Sequence, residues 1–235
     1  MPVTGLYVVQ EPGTNASTIS SVNDKVARLF PKVIGKWSFE YKLFRENPEI
    51  SAPGRHGSQA HLDQPQQQRA QTKARFLSQL HLSTHDEDVF NLVDEPVSYS
   101  ATRTGTVSDK KVLAVFDKGI YSIVGAKLQS MWLPRQLMRG DGHAFAVGDM
   151  YTVRTANITQ NGTFKFLIIE VEYHASDNLE DSKLAITSFI AQSAFPQGRI
   201  FFGDTIDIYA ELTEGPKRFG KAEHALQYLE FFRNG

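Results

Sequence analysis

Asn161 and Gly162 stand between two runs of alternating apolar and polar residues, 150–160 and 163–174. Both residue types tolerate positive φ, and an Asn-Gly pair so flanked is the strongest short hairpin signal a sequence carries. The second run, Phe164-Lys165-Phe166-Leu167-Ile168-Ile169-Glu170-Val171-Glu172-Tyr173, is the most strand-like stretch of the chain. Gly148-Asp149 marks an earlier turn and links this hairpin to another strand near 134–147. Consecutive strands joined by turns this short can only pair antiparallel, so the chain is built around an antiparallel sheet.

Further strands are expected at 3–10, ended by Pro12-Gly13, and at 37–44, with Trp37, Phe39, Tyr41 and Leu43 on one face. Others are expected at 73–83, 88–94, 97–103 and 111–116. Helical spacing predicts a helix over 17–30, with Ile19, Val22, Val26, Leu29 and Phe30 on one side and Pro31 as its stop. A second is predicted over 119–132, with Ile120, Ile123, Val124, Leu128, Met131 and Trp132 on one side. A third starts where Asp177 and Glu180 have capping-box spacing, and carries Leu184, Ile186, Phe189 and Ile190. The last covers 221–233, with Ala222, Ala225, Leu226, Leu229 and Phe232 on one face. Residues 199–213 fit strand or helix equally. Residues 45–72, rich in Gln, Pro and Gly, read as a flexible polar insertion between two strands. No internal repeat is present. The expectation is one α+β domain over 1–235: an antiparallel, barrel-like curled sheet flanked by about four α-helices.

Lys plus Arg number 25 against 26 Asp plus Glu. That balance weighs against a protein whose task is gripping phosphate backbones, so direct nucleic-acid binding is not expected. With no cysteine, disulfides, thiolate-bound zinc and thiol catalysis are excluded. The opening MPVTGLYVVQ lacks the features of a secretory signal, and no apolar run reaches the roughly 18 residues a membrane helix needs. A soluble intracellular protein is expected, in which the sequons at Asn15, Asn157 and Asn161 are chance matches.

Glu170 and Glu172 share one face of their strand, because side chains alternate. Certain phosphohydrolases line an antiparallel tunnel with Glu-x-Glu-x-Lys strands that hold a metal ion and a triphosphate. Glu170-Val171-Glu172 resembles half of that signature, and Glu40-Tyr41-Lys42 and Arg154 could supply other walls. The third signature position is His174 instead of Lys, and the first strand carries no acid before Glu11. Divalent cations want oxygens from several strands. The pair is therefore expected at the emerging end of its strand, facing solvent or a partner, with no metal, cofactor or catalytic role.

Other motifs carry less. His81 and His85 have i, i+4 spacing, but they lie in a predicted strand and loop with no glutamate between them; His56 and His61 fall in the polar insertion. There is no G-x-S-x-G elbow and no phosphate-binding G-x-x-x-x-G-K-[ST] loop. Arg139-Gly140-Asp141-Gly142 reads as a tight turn. Lys127, Arg135 and Arg139 cluster near Trp132. An aromatic beside arginines can stack bases or anchor a protein interface, and it can equally close the apolar face of its own helix.

Three places resemble subunit 20 of the Mediator complex, the coactivator of RNA polymerase II. The first is the Pro2-Val3-Thr4-Gly5 strand with the helix ending near Phe30 and the aromatic strand after Trp37. The second is the block Ala126-Lys127-Leu128-Gln129-Ser130-Met131-Trp132-Leu133-Pro134-Arg135-Gln136-Leu137-Met138-Arg139-Gly140-Asp141. The third is Ile169-Glu170-Val171-Glu172-Tyr173 together with Ala225-Leu226-Gln227-Tyr228-Leu229-Glu230-Phe231-Phe232. The likeness follows the right order along nearly the whole chain, with 45–72 as its main departure. It implies a barrel-like sheet flanked by helices that pairs with Mediator subunit 18 as a heterodimer. It further implies tethering by subunit 8 within the head module, a nuclear location, only indirect contact with the polymerase machinery, and no catalytic residues. An older description ties the family to TATA-binding-protein-related factors, but a minor-groove saddle needs a basic concave face and a twofold repeat, and the sequence has neither.

The expected function is thus a non-enzymatic interaction subunit, with a metal-dependent triphosphate hydrolase as the alternative. The aromatic and arginine cluster of the second block makes Trp132, Leu133, Arg135 and Gln136 the expected partner-binding residues.

Overall fold

A computed structural model describes residues 1–9, 16–48, 74–94, 111–128, 130–202 and 219–234. The hairpin that organises the sheet forms as expected. Asn161 and Gly162 take φ of 52° and 78°, the positive pair that lets β7 (Tyr151–Gln160) return as β8 (Thr163–Tyr173). Gly148, at φ 56°, turns β6 (Trp132–Val147) into β7 in the same way. The other strands are β1 (Val3–Val9), β2 (Lys32–Glu46), β3 (Phe76–Leu82), β4 (Asp88–Asp94), β5 (Lys111–Asp117) and β9 (Arg199–Phe201). The helices are α1 (Ala16–Ala27), α2 (Lys118–Leu128), α3 (Leu179–Gln192) and α4 (Lys221–Asn234).

Among the described residues nine strands form one sheet in the order β5-β4-β3-β2-β6-β7-β8-β1-β9, every pairing antiparallel. Among the described residues β5 and β9 do not pair with each other, so the sheet is not closed. It is strongly curled all the same. Helix α4 touches β1 near one end and β3 and β4 near the other, which requires the sheet to wrap around it.

Strand alternation sends apolar side chains into two separate cores. On the inner face Leu6, Tyr41, Phe90 and Ile168 pack around Leu226, Leu229 and Phe232 of α4. On the outer face Tyr7, Ile169 and Val171 pack beneath Val22 and Val26 of α1 and Ile186, Phe189 and Ile190 of α3. Each fully buried Leu, Ile or Phe contributes about 1.5–3 kcal/mol. Among the described residues no helix is long and apolar enough to cross a membrane.

Several local expectations are corrected. Phe30 lies beyond the end of α1 at φ 49° and is 93% exposed. Helix α2 stops at Leu128, and Trp132 instead opens β6; Ile120 and Ile123 point to solvent. Leu184 of α3 is exposed too, and the cap is Asn178 instead of Asp177, its side chain accepting from the Glu180 and Asp181 N–H groups. Helix α4 is buried nearly all round, not on one face alone. Residues 45 and 46 belong to β2, while 49–73, 97–103 and 203–213 lie outside the described residues.

The 139–142 segment is no turn. It runs through the middle of β6, paired with β2 on one side and β7 on the other. Its glycine spacing serves packing: a Cβ on Gly140 would come within 2.3 Å of the Phe39 ring, so the strand leaves that space to the aromatic.

Candidate functional site

The expectation that Glu170 and Glu172 emerge towards solvent is overturned. Both lie on the inner face, because they alternate with Leu167, Ile169 and Val171 of the outer core, and Glu170 is fully buried. Arg154 sits directly opposite Glu170 in the β7–β8 ladder. Its Nη1 pairs with Glu170 Oε1, and its Nη2 with Glu172 Oε2 at 2.5 Å. Helix α4 supplies the rest. His224 Nε2 lies 2.8 Å from Glu170 Oε2, and the Tyr228 hydroxyl donates to the same oxygen. His85, in the short 3-10 turn Ser83–His85 after β3, places Nε2 3.1 Å from His224 Nδ1.

Burial alone would raise the Glu170 carboxyl, yet the Coulombic pull of His224 and Arg154 and the hydrogen bonds from His224 and Tyr228 hold it well below the usual carboxylate range. Burial pushes the Tyr228 hydroxyl well up, and the Glu170 charge adds to that, so it stays a proton donor. Burial pulls Arg154 down, but the charges of Glu170 and Glu172 more than reverse it. His85 is lowered to about 4, first by burial and then by His224 and Lys221, and is therefore neutral at physiological pH.

Both oxygens of Glu170 are thus engaged by this chain's own donors. Among the described residues no group of three or more His, Cys, Asp or Glu side chains is placed to hold a metal ion. The other proposed tunnel walls do not converge either. Glu40 and Lys42 flank Tyr41, which belongs to the inner core, so they face outward, where they pair with each other at 2.5 Å and Glu40 with Arg139 at 3.1 Å. What the arrangement does is fasten α4 into the trough of the sheet. Gln227 completes the fastening. It accepts from Thr4 Oγ1 at 2.7 Å and donates to the carbonyls of Thr4 and Phe202, each at 2.7 Å.

His224 carries no motif in the sequence, and His85 and Tyr228 stand out there only through the spacing to His81 and the block 225–232, not as partners of Glu170. The available signal was the polar set His224 and Gln227 inside a helix with apolar residues on all sides, which marks buried polar groups in need of partners. His81 and His85 do not act together: His81 Nε2 lies 3.3 Å from Asp86 Oδ1.

The outer face differs between its two halves. Helices α1 and α3 cover β1, β7 and β8, but among the described residues a groove of about 930 Å³ lies between α2 and strands β2–β6. Its floor holds Phe44, Leu77, Val93 and Phe116, with the amide pair Gln79 and Asn91, whose Nε2 and Oδ1 are 3.1 Å apart. Of the four residues expected to bind a partner, Trp132, Arg135 and Gln136 line this groove; Leu133 is exposed and does not. The β2–β6 register passes from Leu43↔Gln136 to Phe44↔Pro134, so Arg135 is the extra residue of a β-bulge, lifted out of the ladder. Pro134 fits there because β6 pairs with β7 only from Met138 onward, so 132–137 has no strand on that side among the described residues. Arg139 pairs with Glu40, away from Arg135, and the Lys127 side chain lies outside the described residues.

A family profile described as TATA-binding related factor of subunit 20 of the Mediator complex matches residues 1–233. The chain is 29% identical over 195 residues to Mediator of RNA polymerase II transcription subunit 20 of Yarrowia lipolytica, covering 80% of this chain and 85% of that one. It is 24% identical over 228 residues to the same subunit of Debaryomyces hansenii, covering 84% and 89%. Among solved structures, an adenylyl-cyclase-like protein from Hippeastrum with a dominant triphosphatase activity is similar at TM-score 0.43 and 9% identity, covering 92% of this chain and 98% of that one. A Pyrococcus horikoshii protein is similar at TM-score 0.41 and 10% identity, covering 83% and 93%.

Proposed function

From the premise that this chain belongs to the Mediator subunit 20 family, we propose that it works as the partner of Mediator subunit 18 in the head module. It is a non-catalytic subunit of the complex and acts in the regulation of RNA polymerase II transcription. Its location in the nucleus, its tethering by subunit 8 and its action as one domain over 1–235 belong to the same proposal. One sheet containing strands from both ends of the chain supports the last of these.

The observation that carries a binding role is the occupation of the inner face. The trough that a tunnel enzyme would reserve for substrate holds α4, and the acid pair inside it is consumed by Arg154, His224 and Tyr228. The same occupation argues against a minor-groove saddle, which needs an open concave surface. Work must then be done on outward surfaces, by binding energy alone. We place the subunit 18 contact around Trp132, Leu133, Arg135 and Gln136, an aromatic–arginine set of the kind that anchors interfaces.

Co-expression with subunit 18 tests this. A stable heterodimer that survives gel filtration, weakened at least about tenfold by a Trp132→Ala, Arg135→Ala double substitution, is the expected result. A heterodimer indifferent to that pair would remove these residues from the contact. Failure to form one at all would remove the pairing.

A further inference from the structure

We propose that the groove between α2 and the sheet seats one amphipathic helix with acidic flanks, presented by a partner protein. This deepens the reading of 132–136 as a binding surface and does not depend on which subunit brings the helix.

Shape comes first. One wall is the inward side of α2, where Ser122, Gly125 and Ala126 are small enough to let another backbone come close, with Tyr121 above Phe116 at a ring separation of 6.5 Å. The opposite wall is the first half of β6, with Trp132, Pro134 and Leu137. A helix that lays its apolar stripe in such a channel meets the sheet on one side and α2 on the other. Strand addition along 132–137 is disfavoured, because Pro134 offers no N–H there and the bulge at Arg135 interrupts the ladder.

Charge then selects the kind of helix. Among the described residues that line the groove, the charged ones are Lys42 and Arg135, both cationic. Lys42 is already tied to Glu40, whereas Arg135 makes no ion pair among the described residues. A guanidinium raised on a bulge at the rim of an apolar channel is placed to take a carboxylate with two parallel hydrogen bonds. Two cations are too few for a phosphate backbone, and the apolar floor would be wasted on one.

The test uses two synthetic peptides of about fifteen residues, four helical turns, with the same leucine stripe and either glutamate or lysine flanks. Fluorescence anisotropy with the full chain should show the glutamate peptide binding at least about tenfold tighter than the lysine peptide. Arg135→Glu should reverse that preference, and Ala126→Trp, which fills the channel, should abolish binding of both. Thermal melts of the two variants, at exposed positions, establish that they fold. Equal binding of the peptides, no binding, or binding unmoved by Ala126→Trp would overturn the proposal. So would a dimer of this chain alone that Ala126→Trp splits, since the occupant would then be a second copy. Capture of subunit 18 is measured separately. If it fails while the glutamate peptide binds, the pairing falls and the groove stands; if it succeeds while neither peptide binds, the groove falls and the pairing stands.

Discussion

Helices α2 and α4 are similar in length, 11 and 14 residues, and each carries aliphatic side chains at helical spacing. Their fates are opposite. Helix α4 is enclosed by a curled sheet, and the polar groups of its buried residues His224, Gln227 and Tyr228 are each matched to a partner. Helix α2 leans chiefly on β4 and β5, exposes Ile120 and Ile123, and leaves a groove beneath it among the described residues. An apolar stripe states that a helix has something to bury. Whether the chain itself supplies the cover depends on how far the sheet curls, and here the curl is centred on α4.

Substitutions around the two helices should separate accordingly. The largest loss is expected for Arg154→Ala, which leaves Glu170 and Glu172 as buried carboxylates without their cation, at about 3–5 kcal/mol in denaturant unfolding. Replacing the network together, as Arg154→Met with Glu170→Gln and Glu172→Gln, should recover most of that. A single-variant loss below about 1 kcal/mol would mean the network does not hold α4. Tyr228→Phe removes one donor to Glu170 and should cost about 1–3 kcal/mol by the same measurement.

Acid should loosen α4 in two stages. His85 is lowered in the folded protein from its ordinary 6.5 to about 4. Between those values the unfolded chain binds a proton that the folded one refuses, so stability falls as pH drops through that window. Glu170 has a depressed folded pKa, so its contribution is present above its ordinary 4.5 and is lost progressively below it. His85→Gln should remove the upper stage and leave the lower one, which melting temperature against pH will read. On the α2 side, Ile123→Ser should change stability by no more than about 0.5 kcal/mol. A larger loss would mean that α2 is as well packed as α4, and the contrast between them would be gone.

The regions read correctly from the chain are those where local rules act alone. The Asn161-Gly162 hairpin, the alternation of 37–44 and the stripe Val22–Val26 all fold as their spacing predicts. Errors gather where a distant neighbour overrides the local signal. Arg139-Gly140-Asp141-Gly142 carries turn chemistry, yet the glycine is there to admit Phe39 from another strand. The groove is half legible: of the expected set Trp132, Leu133, Arg135 and Gln136 all but Leu133 line it, but the floor comes from β2–β5 and cannot be assigned to them without the sheet order.

The clearest division concerns Glu170 and Glu172. The sequence by itself determined, through its period of two and the Asn161-Gly162 turn, that the two share a face and sit in an antiparallel hairpin, while its likeness to the family rests on the residue blocks quoted for it. It could not say whether that face is wet. A period of two distinguishes one side of a strand from the other but assigns neither to the core when both carry apolar residues, as Phe166 and Ile168 do on one side and Leu167 and Ile169 on the other. The decision was made by α4, more than fifty residues later, which closes over the inner face and brings His224 and Tyr228 to the carboxylate while Arg154 meets it from the next strand. Burial of a charge is a property of everything packed around it, and only the tertiary structure contains that.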